Sequence, residues 1–367
     1  MNSNHPIYLG VMSGTSLDGV DVVAFTPHNN ALIAAHSIDF STDLRNKTLV
    51  LQQASNNELH HAQLVSNELA DLYARAINEI IAQANLDKSH IQAVGVHGQT
   101  IRHRPDLGYT VQLNQPARIA EQTGLNVVSD FRARDIAAGG QGAPLVPAFH
   151  DALWRDAAHN RVALNIGGFA NISVLNVNEP TFGFDTGPGN VLMDAWIQLN
   201  RGVNYDQNGD WAASGTIHYG LLNAFWADAF FHQPHPKSTG RDFFNLDWLQ
   251  THLKGFNAIK PADVQATLCA LTVRSIAAEI NRASPNAAQI IVCGGGAFNL
   301  CLLNALKAAL PNADIQTASA HGITPQSVEA AAFAWLAART INHLSGNLPA
   351  VTGAAGERIL GSVTFAG

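Results

Sequence analysis

Charged residues are scarce in this chain: only 13% of its 367 residues are Asp, Glu, Lys or Arg, against roughly 25% in typical globular domains. The hydrophobic fraction of 47% is large enough for a well-buried α/β core and argues against a disordered chain. The formal net charge of −7 indicates no basic surface, so we expect no nucleic-acid partner. An anionic substrate would have to bind local positive charge or helix N-termini.

Cysteines and long apolar runs are also scarce. Cys269, Cys293 and Cys301 form no C-x-x-C pair, which predicts reduced thiols packed as small apolar groups in the cytosol. No apolar run approaches the roughly 20 residues that a membrane-spanning helix needs. Residues 1–6 lack the basic flank of a signal peptide. We therefore expect a cytoplasmic location and no membrane partner.

The length of the chain predicts two lobes, because single cores stop growing at ~250–300 residues. Residues 137–142 are rich in glycine (AAGGQG), and we interpret them as the passage between the lobes. Thr324 and Pro325 have the pattern of an N-cap and a first helical residue, so they predict the start of the last helix.

The most informative stretch is residues 7–24, in which two apolar runs flank a small polar turn. A hairpin needs glycines for tight backbone angles, but this turn also contains Ser13, Thr15, Ser16 and Asp18. Hydroxyls and backbone N–H groups would bind phosphate oxygens, and the carboxylate would bind Mg²⁺. The alternative is a surface hairpin with a polar tip.

Two later turns repeat this use of small residues. Residues 161–175 again indicate strand, turn and strand, with Gly167 and Gly168 at the turn, which suggests a duplicated architecture. Residues 294–296 are three glycines between a buried strand and a helix, where a nucleotide can lie against the backbone. Their spacing is neither a dinucleotide fingerprint nor a P-loop, and a packing turn is the alternative.

Asp185 begins an Asp-Thr-Gly tripeptide, which is also the active sequence of aspartic proteases. Those enzymes need two such carboxylates sharing a proton, and this chain has one copy. The other interpretation makes Asp185 a single ionised general base in a Gly-rich loop that a substrate can approach closely. A helix starting near Gly189 would then direct its N–H groups towards an anion. The structural alternative for Asp185 is a helix N-cap.

Several further polar residues allow two interpretations. His97 lies at a strand end, where it is either a binding residue or a satisfied structural group. Arg132 and Arg134 could bind a carboxylate bidentately, or they could pair with neighbouring aspartates at the surface. Glu329 shares a stripe with apolar residues of the last helix, so it is either a favourable first-turn acid or a site carboxylate.

Three Gly-rich turns in this order resemble those of the actin, sugar-kinase and heat-shock ATPase superfamily; they lie at residues 13–19, 167–168 and 294–296. The resemblance implies the α/β, two-lobed actin-like ATPase (ribonuclease-H-like) fold, in which mixed sheets are flanked by helices. In that fold two hairpins hold the phosphates and a later Gly-Gly turn holds the adenosine. We expect a first lobe of residues 1–135 with 325–367, and a second lobe of residues 136–324.

Longer motifs are similar to one family within this superfamily, the bacterial anhydro-N-acetylmuramic acid kinases. These motifs are GVMSGTSLDGVD at 10–21, HGQT at 97–100, FRARD at 131–135, FDTGPGN at 184–190 and GGGAFN at 294–299. The resemblance extends from about residue 7 to about residue 340.

The family implies that ATP phosphorylates the 6-oxygen of 1,6-anhydro-N-acetylmuramic acid while water opens the anhydro ring. The product is N-acetylmuramic acid 6-phosphate, an entry into peptidoglycan (cell-wall) recycling. Asp185 would deprotonate the attacking water. Mg²⁺ held by Asp18 would neutralise the charge on the transferring group. We expect a homodimeric, ATP-dependent kinase with a small amino-sugar substrate.

The resemblance also implies the binding residues. Those predicted for ATP are Gly14, Thr15, Ser16, Leu17, Asp18, Gly19, Val20, Asp21, Gly167, Gly168, Gly294, Gly295 and Asn299. Those predicted for the sugar and its lactyl carboxylate are His97, Gln99, Arg132, Arg134 and Glu329. The alternatives are another sugar or carboxylate kinase of the superfamily, a non-catalytic ATP-driven switch, and a single-copy aspartic protease.

Overall fold

The computed structural model describes residues 5–14, 17–256 and 258–367. The strands are β1 (Ile7–Met12), β2 (Gly19–Thr26), β3 (Ala31–Asp39), β4 (Ile91–Val96), β5 (Gln99–Arg104), β6 (Tyr109–Leu113), β7 (Val127–Ser129), β8 (Arg161–Ile166), β9 (Phe169–Leu175), β10 (Phe182–Pro188), β11 (Gln289–Cys293), β12 (Asp314–Thr317) and β13 (Ser362–Thr364). The helices are α1 (Thr42–Val50), α2 (Glu58–Gln83), α3 (Pro116–Thr123), α4 (Ala133–Ala137), α5 (Val146–Trp154), α6 (Val191–Arg201), α7 (Asp210–Ala213), α8 (Tyr219–Trp226), α9 (Leu246–Leu253), α10 (Pro261–Ala283), α11 (Leu300–Ala309), α12 (Val328–Ile341) and α13 (Pro349–Thr352).

The chain divides into two compact units, one of residues 1–153 with 327–367 and the other of residues 154–326. The chain therefore first crosses from one unit to the other after residue 153, which is later than the expected position after residue 135. The reason is that α5 packs on the first unit, where the ring of Phe149 contacts that of Phe25 with centroids 5.7 Å apart.

Each unit contains a mixed sheet with the same core order. In the first unit the order is β13-β7-β4-β1-β2-β3, and in the second it is β10-β9-β8-β11-β12. The first three strands of each unit form an antiparallel meander, and the first strand continues on its other side into parallel strands. Helices pack on each sheet. The expected α/β class and the duplicated, ribonuclease-H-like architecture are thus confirmed.

Helix α12 lies directly on the backbone of β1 and β4 because both strands have a glycine at the contact. A Cβ at Gly10 would overlap the carbonyl oxygen of Ala330, and a Cβ at Gly95 would overlap that of Phe333. The two glycines therefore allow α12, which carries Glu329, to lie against the backbone of the first sheet.

The two longest helices are amphipathic. Helix α2 buries Leu69, Tyr73 and Ile77 and exposes Arg75, as the apolar stripe in the sequence predicts. Helix α10 buries most of its length in the core of the second unit. Across the described ranges, we find no helix that combines the length and the apolarity needed to cross a bilayer.

The three cysteines form no disulfide with one another in the described residues. Cys269 and Cys293 are buried, whereas Cys301 is partly exposed. A hydrogen bond between the thiols of Cys269 and Cys301 lowers the pKa of Cys301 and raises that of Cys269.

Candidate active site

The turn of the first hairpin closes through its backbone. The N–H of Leu17 donates to the carbonyl of Gly14 at 3.2 Å. The predicted phosphate-binding residues Thr15 and Ser16 lie outside the described residues. The side chains of Leu17 and Val20 are buried in the core, so only their backbone groups could reach a ligand. Gly19 and Val20 are the first two residues of β2.

Two buried polar side chains of the predicted motifs support this turn. The hydroxyl of Ser13 is 2.7 Å from that of Tyr73. The side-chain amide of Gln99 donates from Nε2 to the carbonyl of Gly14 at 3.2 Å. The structure therefore brings Gln99 to the hairpin turn, where its N–H is already engaged. Its sugar-binding role stays a prediction.

Three predicted carboxylates of the first unit interact electrostatically. Asp18 is exposed, whereas Asp21 lies in β2 and accepts a hydrogen bond from the Ser37 hydroxyl at 2.6 Å. Burial raises the pKa of Asp21, the Ser37 bond lowers it and the charge of Asp18 raises it. Burial also raises the pKa of Glu329, with a further increase from Asp21 and a decrease from Arg132.

These three carboxylates suit a magnesium ion that substrate phosphates bind as well. Mg²⁺ prefers carboxylate oxygens and water, and it usually takes only one or two protein carboxylates when substrate phosphates bind it as well. Within the part of the chain that the structure describes, no three His, Cys, Asp or Glu side chains form a cluster able to hold a metal alone. A cation beside Asp18 would offset the charge by which Asp18 raises the pKa of Asp21.

Glu329 lies in the first turn of α12, which is the helix that the sequence analysis predicts after Pro325. The sequence predicts Pro325 as the first helical residue, whereas the structure has a 3₁₀ turn over Pro325–Ser327 and α12 begins at Val328. Phe333 and Leu336, on the same stripe, are buried. Glu329 is therefore a first-turn acid that also interacts with other predicted site residues, so its two interpretations are compatible.

Arg132 is held by two partners in the first unit. Its Nε and Nη2 donate to Nε2 of His97 at 3.2 and 2.9 Å, and its Nη1 donates to the carbonyl of Gly142 at 2.7 Å. Burial lowers the pKa of Arg132 to about 10, against the opposing charges of Glu329 and Asp135. Burial and the charge of Arg132 lower the pKa of His97 far below its ordinary value. His97 is therefore neutral, and because Nε2 accepts, its proton lies on Nδ1.

The other two polar residues of the FRARD motif differ in environment. Arg134 is exposed on α4. Asp135 is fully buried, and its carboxylate accepts from the Gly142 N–H at 2.8 Å, from Asn347 Nδ2 at 2.7 Å and from the Thr352 hydroxyl at 2.7 Å. Asp135 therefore ties α4 to the C-terminal segment, and a surface ion pair with an arginine is not its role.

The turn of the second hairpin binds the start of α6. The carbonyl of Gly168 accepts from the N–H groups of Gly189 and Val191 at 2.9 and 3.0 Å, and that of Gly167 accepts from Asn190 at 2.9 Å. The sequence predicts that N–H groups at this helix start face an anion. For these three groups the prediction is wrong, because the hairpin carbonyls occupy them.

Asp185 lies in β10, opposite Asn171 of β9. Its N–H donates to the carbonyl of Lys237 at 3.0 Å. Its Oδ2 accepts from the Ser238 hydroxyl and from the Thr239 N–H, both at 3.0 Å. Burial raises the pKa of Asp185, whereas the bonds from Thr239 and Ser238 lower it. The helix-cap alternative is therefore excluded, since a separate loop holds this carboxylate.

That loop is missing from the sequence predictions. A signal exists: residues 234–240 read PHPKSTG, in which prolines, hydroxyl residues and a glycine indicate a shaped turn. The hydroxyl oxygen of Thr239 is buried and has no partner among the described residues. A cleft of about 410 Å³ is lined by Phe230, Gln233, Ser238, Thr239, Gly240, Asp242 and Phe243. The loop thus joins the Asp185 carboxylate to a cleft with hydroxyl groups in its wall.

Of the three glycines in the third turn, only Gly295 has room for a ligand, because a Cβ at Gly294 or Gly296 would overlap neighbouring atoms. Gly294 has a φ of 77°, and its N–H donates to the carbonyl of Pro325 at 3.0 Å. Gly295 faces open space. Asn299 is the N-cap of α11, where its Oδ1 accepts from the Leu302 N–H at 3.0 Å. A ligand could approach Gly295 closely, whereas the side-chain oxygen of Asn299 is engaged in the cap.

Comparison with known proteins gives consistent matches over nearly the whole chain. The family model described as anhydro-N-acetylmuramic acid kinase matches residues 6–366. A protein of that name from Pseudomonas paraeruginosa is 49% identical over 359 residues, which cover 98% of this chain and 98% of that protein. One from Pseudomonas fluorescens is 48% identical over 359 residues, covering 97% and 99%. The solved structure of the activator of 2-hydroxyisocaproyl-CoA dehydratase from Clostridium difficile covers 89% of this chain and 91% of that chain, with a TM-score of 0.46 and 11% identity.

Proposed function

Because the chain belongs to the anhydro-N-acetylmuramic acid kinase family, we propose that it phosphorylates O6 of 1,6-anhydro-N-acetylmuramic acid while water opens the anhydro ring. The products are ADP and N-acetylmuramic acid 6-phosphate, which assigns the enzyme to peptidoglycan recycling in the cytoplasm. The observation that carries this reaction is Asp185, a partly buried carboxylate that two hydrogen bonds hold at one oxygen. The homodimeric state stays a prediction.

Asp185 acts as the general base. Ser238 and Thr239 bind Oδ2, so Oδ1 takes a proton from the attacking water. The water oxygen forms a bond to the anomeric carbon, the bond from that carbon to O6 breaks, and O6 receives the γ-phosphoryl group. A base is most effective when its pKa lies near the working pH, and burial moves the pKa of Asp185 in that direction.

The two hairpins and the third turn are assigned to the nucleotide. When bound, ATP supplies the phosphoryl group and Mg²⁺ neutralises its charge. The backbone of residues 14–21 would bind phosphate oxygens, with Asp18 holding the metal. The turn of Gly167 and Gly168 is assigned to the phosphates as well. Gly295, which faces open space, would allow the adenosine side to lie against the backbone.

The sugar is assigned to polar groups of the first unit. Arg132 keeps one N–H on Nη1 and one on Nη2 beyond those given to Gly142 and His97, and these would bind the lactyl carboxylate. His97 orients Arg132 for this contact. Gln99, Arg134 and Glu329 remain predicted sugar contacts.

Mass spectrometry of the product made in ¹⁸O-water tests this function. We expect one ¹⁸O atom at the anomeric oxygen of a product that carries its phosphate on O6. The product must be reduced with borohydride at quenching, because a free reducing sugar exchanges that oxygen with water. An unlabelled anomeric oxygen in the 6-phosphorylated product would contradict coupled hydrolysis and transfer.

A further inference from the structure

We infer that Lys237 and Glu279 are positioning residues for Asp185: their buried ion pair holds the loop of residues 237–239 that orients the base. The inference rests on the proposed role of Asp185 as general base. It assigns a task to two charged side chains that the reaction itself does not use.

The ion pair is deeply buried in the second unit. Lys237 Nζ lies 2.8 Å from Glu279 Oε1, with side chains 3% and 2% exposed. The same Nζ donates to the carbonyl of Phe230 at 3.0 Å and lies 4.6 Å from the centre of its ring. Arg282 donates to both oxygens of Glu279 at 3.0 and 3.2 Å from a more exposed position. A buried pair adds little net stability after desolvation, so we attribute to this one the task of holding the loop in place.

The ion pair anchors the loop of residues 237–239. This loop supplies the hydrogen bonds that are described for the backbone N–H and for Oδ2 of Asp185. The carbonyl of Lys237 accepts the Asp185 N–H, and the next two residues, Ser238 and Thr239, donate to Oδ2. The anchored side chain and these three hydrogen bonds thus belong to consecutive residues. Displacement of Lys237 would therefore move all three contacts together.

A displacement of the loop should change the pKa of Asp185, and the aromatic and charged groups around the loop are as follows. His235 stacks on Phe184, the residue before Asp185, with ring centroids 4.8 Å apart. Arg282 contacts the same oxygen of Glu279 as Lys237 does, and Asp242 is in the wall of the adjoining cleft. The bonds from the loop lower the pKa of Asp185, whereas burial raises it. If the loop contacts were lost, the hydrogen bonds that lower the pKa of Asp185 would disappear while the carboxylate stayed buried. The pKa of Asp185 would therefore increase.

Steady-state kinetics of Lys237→Met test the inference. We expect kcat to fall about 100-fold, since a shift of about 1 Å in a reacting group can cost that much. The KM values for ATP and sugar should stay near those of the wild type, because the loss affects the chemical step. The acid limb of the pH profile of kcat should move to higher pH, since the base must be ionised. Lys237→Arg, which keeps the charge, should restore part of kcat.

Two further variants separate positioning from folding. Arg282→Gln removes the more exposed partner of the same Glu279 and should keep the wild-type acid limb. The double variant Lys237→Met with Glu279→Leu removes both charges, and apolar replacement of a buried pair commonly preserves the fold. We expect this double variant to fold and to show the same shift of the acid limb.

The outcomes distinguish this inference from the proposed function. A folded double variant with an unchanged acid limb overturns the positioning role, even where its thermal stability is lower. Asp185→Asn is measured in the same assay. If Asp185→Asn keeps its turnover, the base assignment fails; if only Asp185→Asn loses turnover, the base stands and the positioning role fails.

Discussion

Arg132 and His97 are joined by two hydrogen bonds to a single atom, since both Nε and Nη2 of the guanidinium donate to Nε2 of the imidazole. The pairing requires a neutral His97 with an unprotonated Nε2, and burial keeps it neutral by lowering its pKa. It also fixes the plane of the guanidinium before any ligand binds. The contact we propose between Arg132 and the sugar carboxylate is therefore preorganised.

Removal of the imidazole should weaken sugar binding. His97→Ala leaves two N–H groups of Arg132 without their acceptor, and a hydrogen bond to a charged group contributes about 1.5–3 kcal/mol. We expect the KM for the sugar to increase about 10-fold, since about 1.4 kcal/mol corresponds to a factor of ten, with a nearly unchanged KM for ATP. His103→Ala is the control, because His103 also senses the charge of Arg132 but bonds to Thr110. An unchanged sugar KM in His97→Ala would argue against this role of Arg132.

Glu329 should reduce stability at neutral pH. Its pKa is raised in the folded protein, so the folded state binds the proton more tightly than the unfolded chain. Protonated Glu329 stabilises the folded state at a pH below the ordinary Glu pKa, and this stabilisation is lost as the pH rises through the folded-state pKa. Each tenfold difference in proton affinity between the folded and unfolded states corresponds to about 1.4 kcal/mol in the free energy of unfolding. Glu329→Gln mimics the protonated form. Thermal unfolding should show this variant to be more stable than the wild type at pH 7, and the difference should disappear in strongly acidic buffer.

The carboxylate of Asp18 should govern the magnesium requirement. Asp18→Ala removes an exposed acid of the predicted phosphate-binding turn, and Mg²⁺ in phosphate sites usually takes one or two protein carboxylates. We expect the Mg²⁺ concentration for half-maximal activity to increase about 10-fold, which corresponds to a loss of roughly 1.4 kcal/mol in the free energy of Mg²⁺ binding. A magnesium titration of initial rates measures this. Asp43→Ala, at an exposed position of α1, is the control, and equal titration curves for the two variants would contradict a metal role for Asp18.

Loss of the Asp185 carboxylate should abolish turnover and spare nucleotide binding. Asp185→Asn keeps the size of the side chain but removes the proton acceptor, and a general base contributes about 10²–10⁴-fold in rate. Calorimetry should give wild-type ATP affinity while coupled ADP detection shows the loss. The exposed Asp247, on α9 of the same unit, provides the control variant Asp247→Asn. In the wild type, kcat should decline on acidification at a pH above the ordinary Asp value, since burial raises this pKa.

Much of the fold follows from local patterns. The two hairpins, the buried strand before Gly294 and the amphipathic α2 are readable because apolar periodicity and Gly turns are encoded within a few residues. Motif similarity also predicts Asp185 and Arg132 as candidate site residues. These features depend on short stretches of sequence, which a single chain displays directly.

The partners of these residues could not be predicted in the same way. Ser238 and Thr239 reach Asp185 from a loop that is distant in sequence, and Tyr73 reaches Ser13 from a helix. Such contacts depend on how elements pack, and no local period records them. Asp135 shows the same limit, since its three donors come from Gly142 and from the C-terminal segment.

Helix α12 should not tolerate a methyl group on the strand below it. Gly95→Ala would place a Cβ against the carbonyl oxygen of Phe333 and within 3.0 Å of the Ala337 Cβ. Helix backbone cannot rotate away as a side chain can, so we expect a loss of about 1–3 kcal/mol or more in the free energy of unfolding. Gly255→Ala is the control, because a Cβ there meets nothing within 4 Å. Urea unfolding measures both variants, and equal midpoints would show that α12 can move off β4 at little cost.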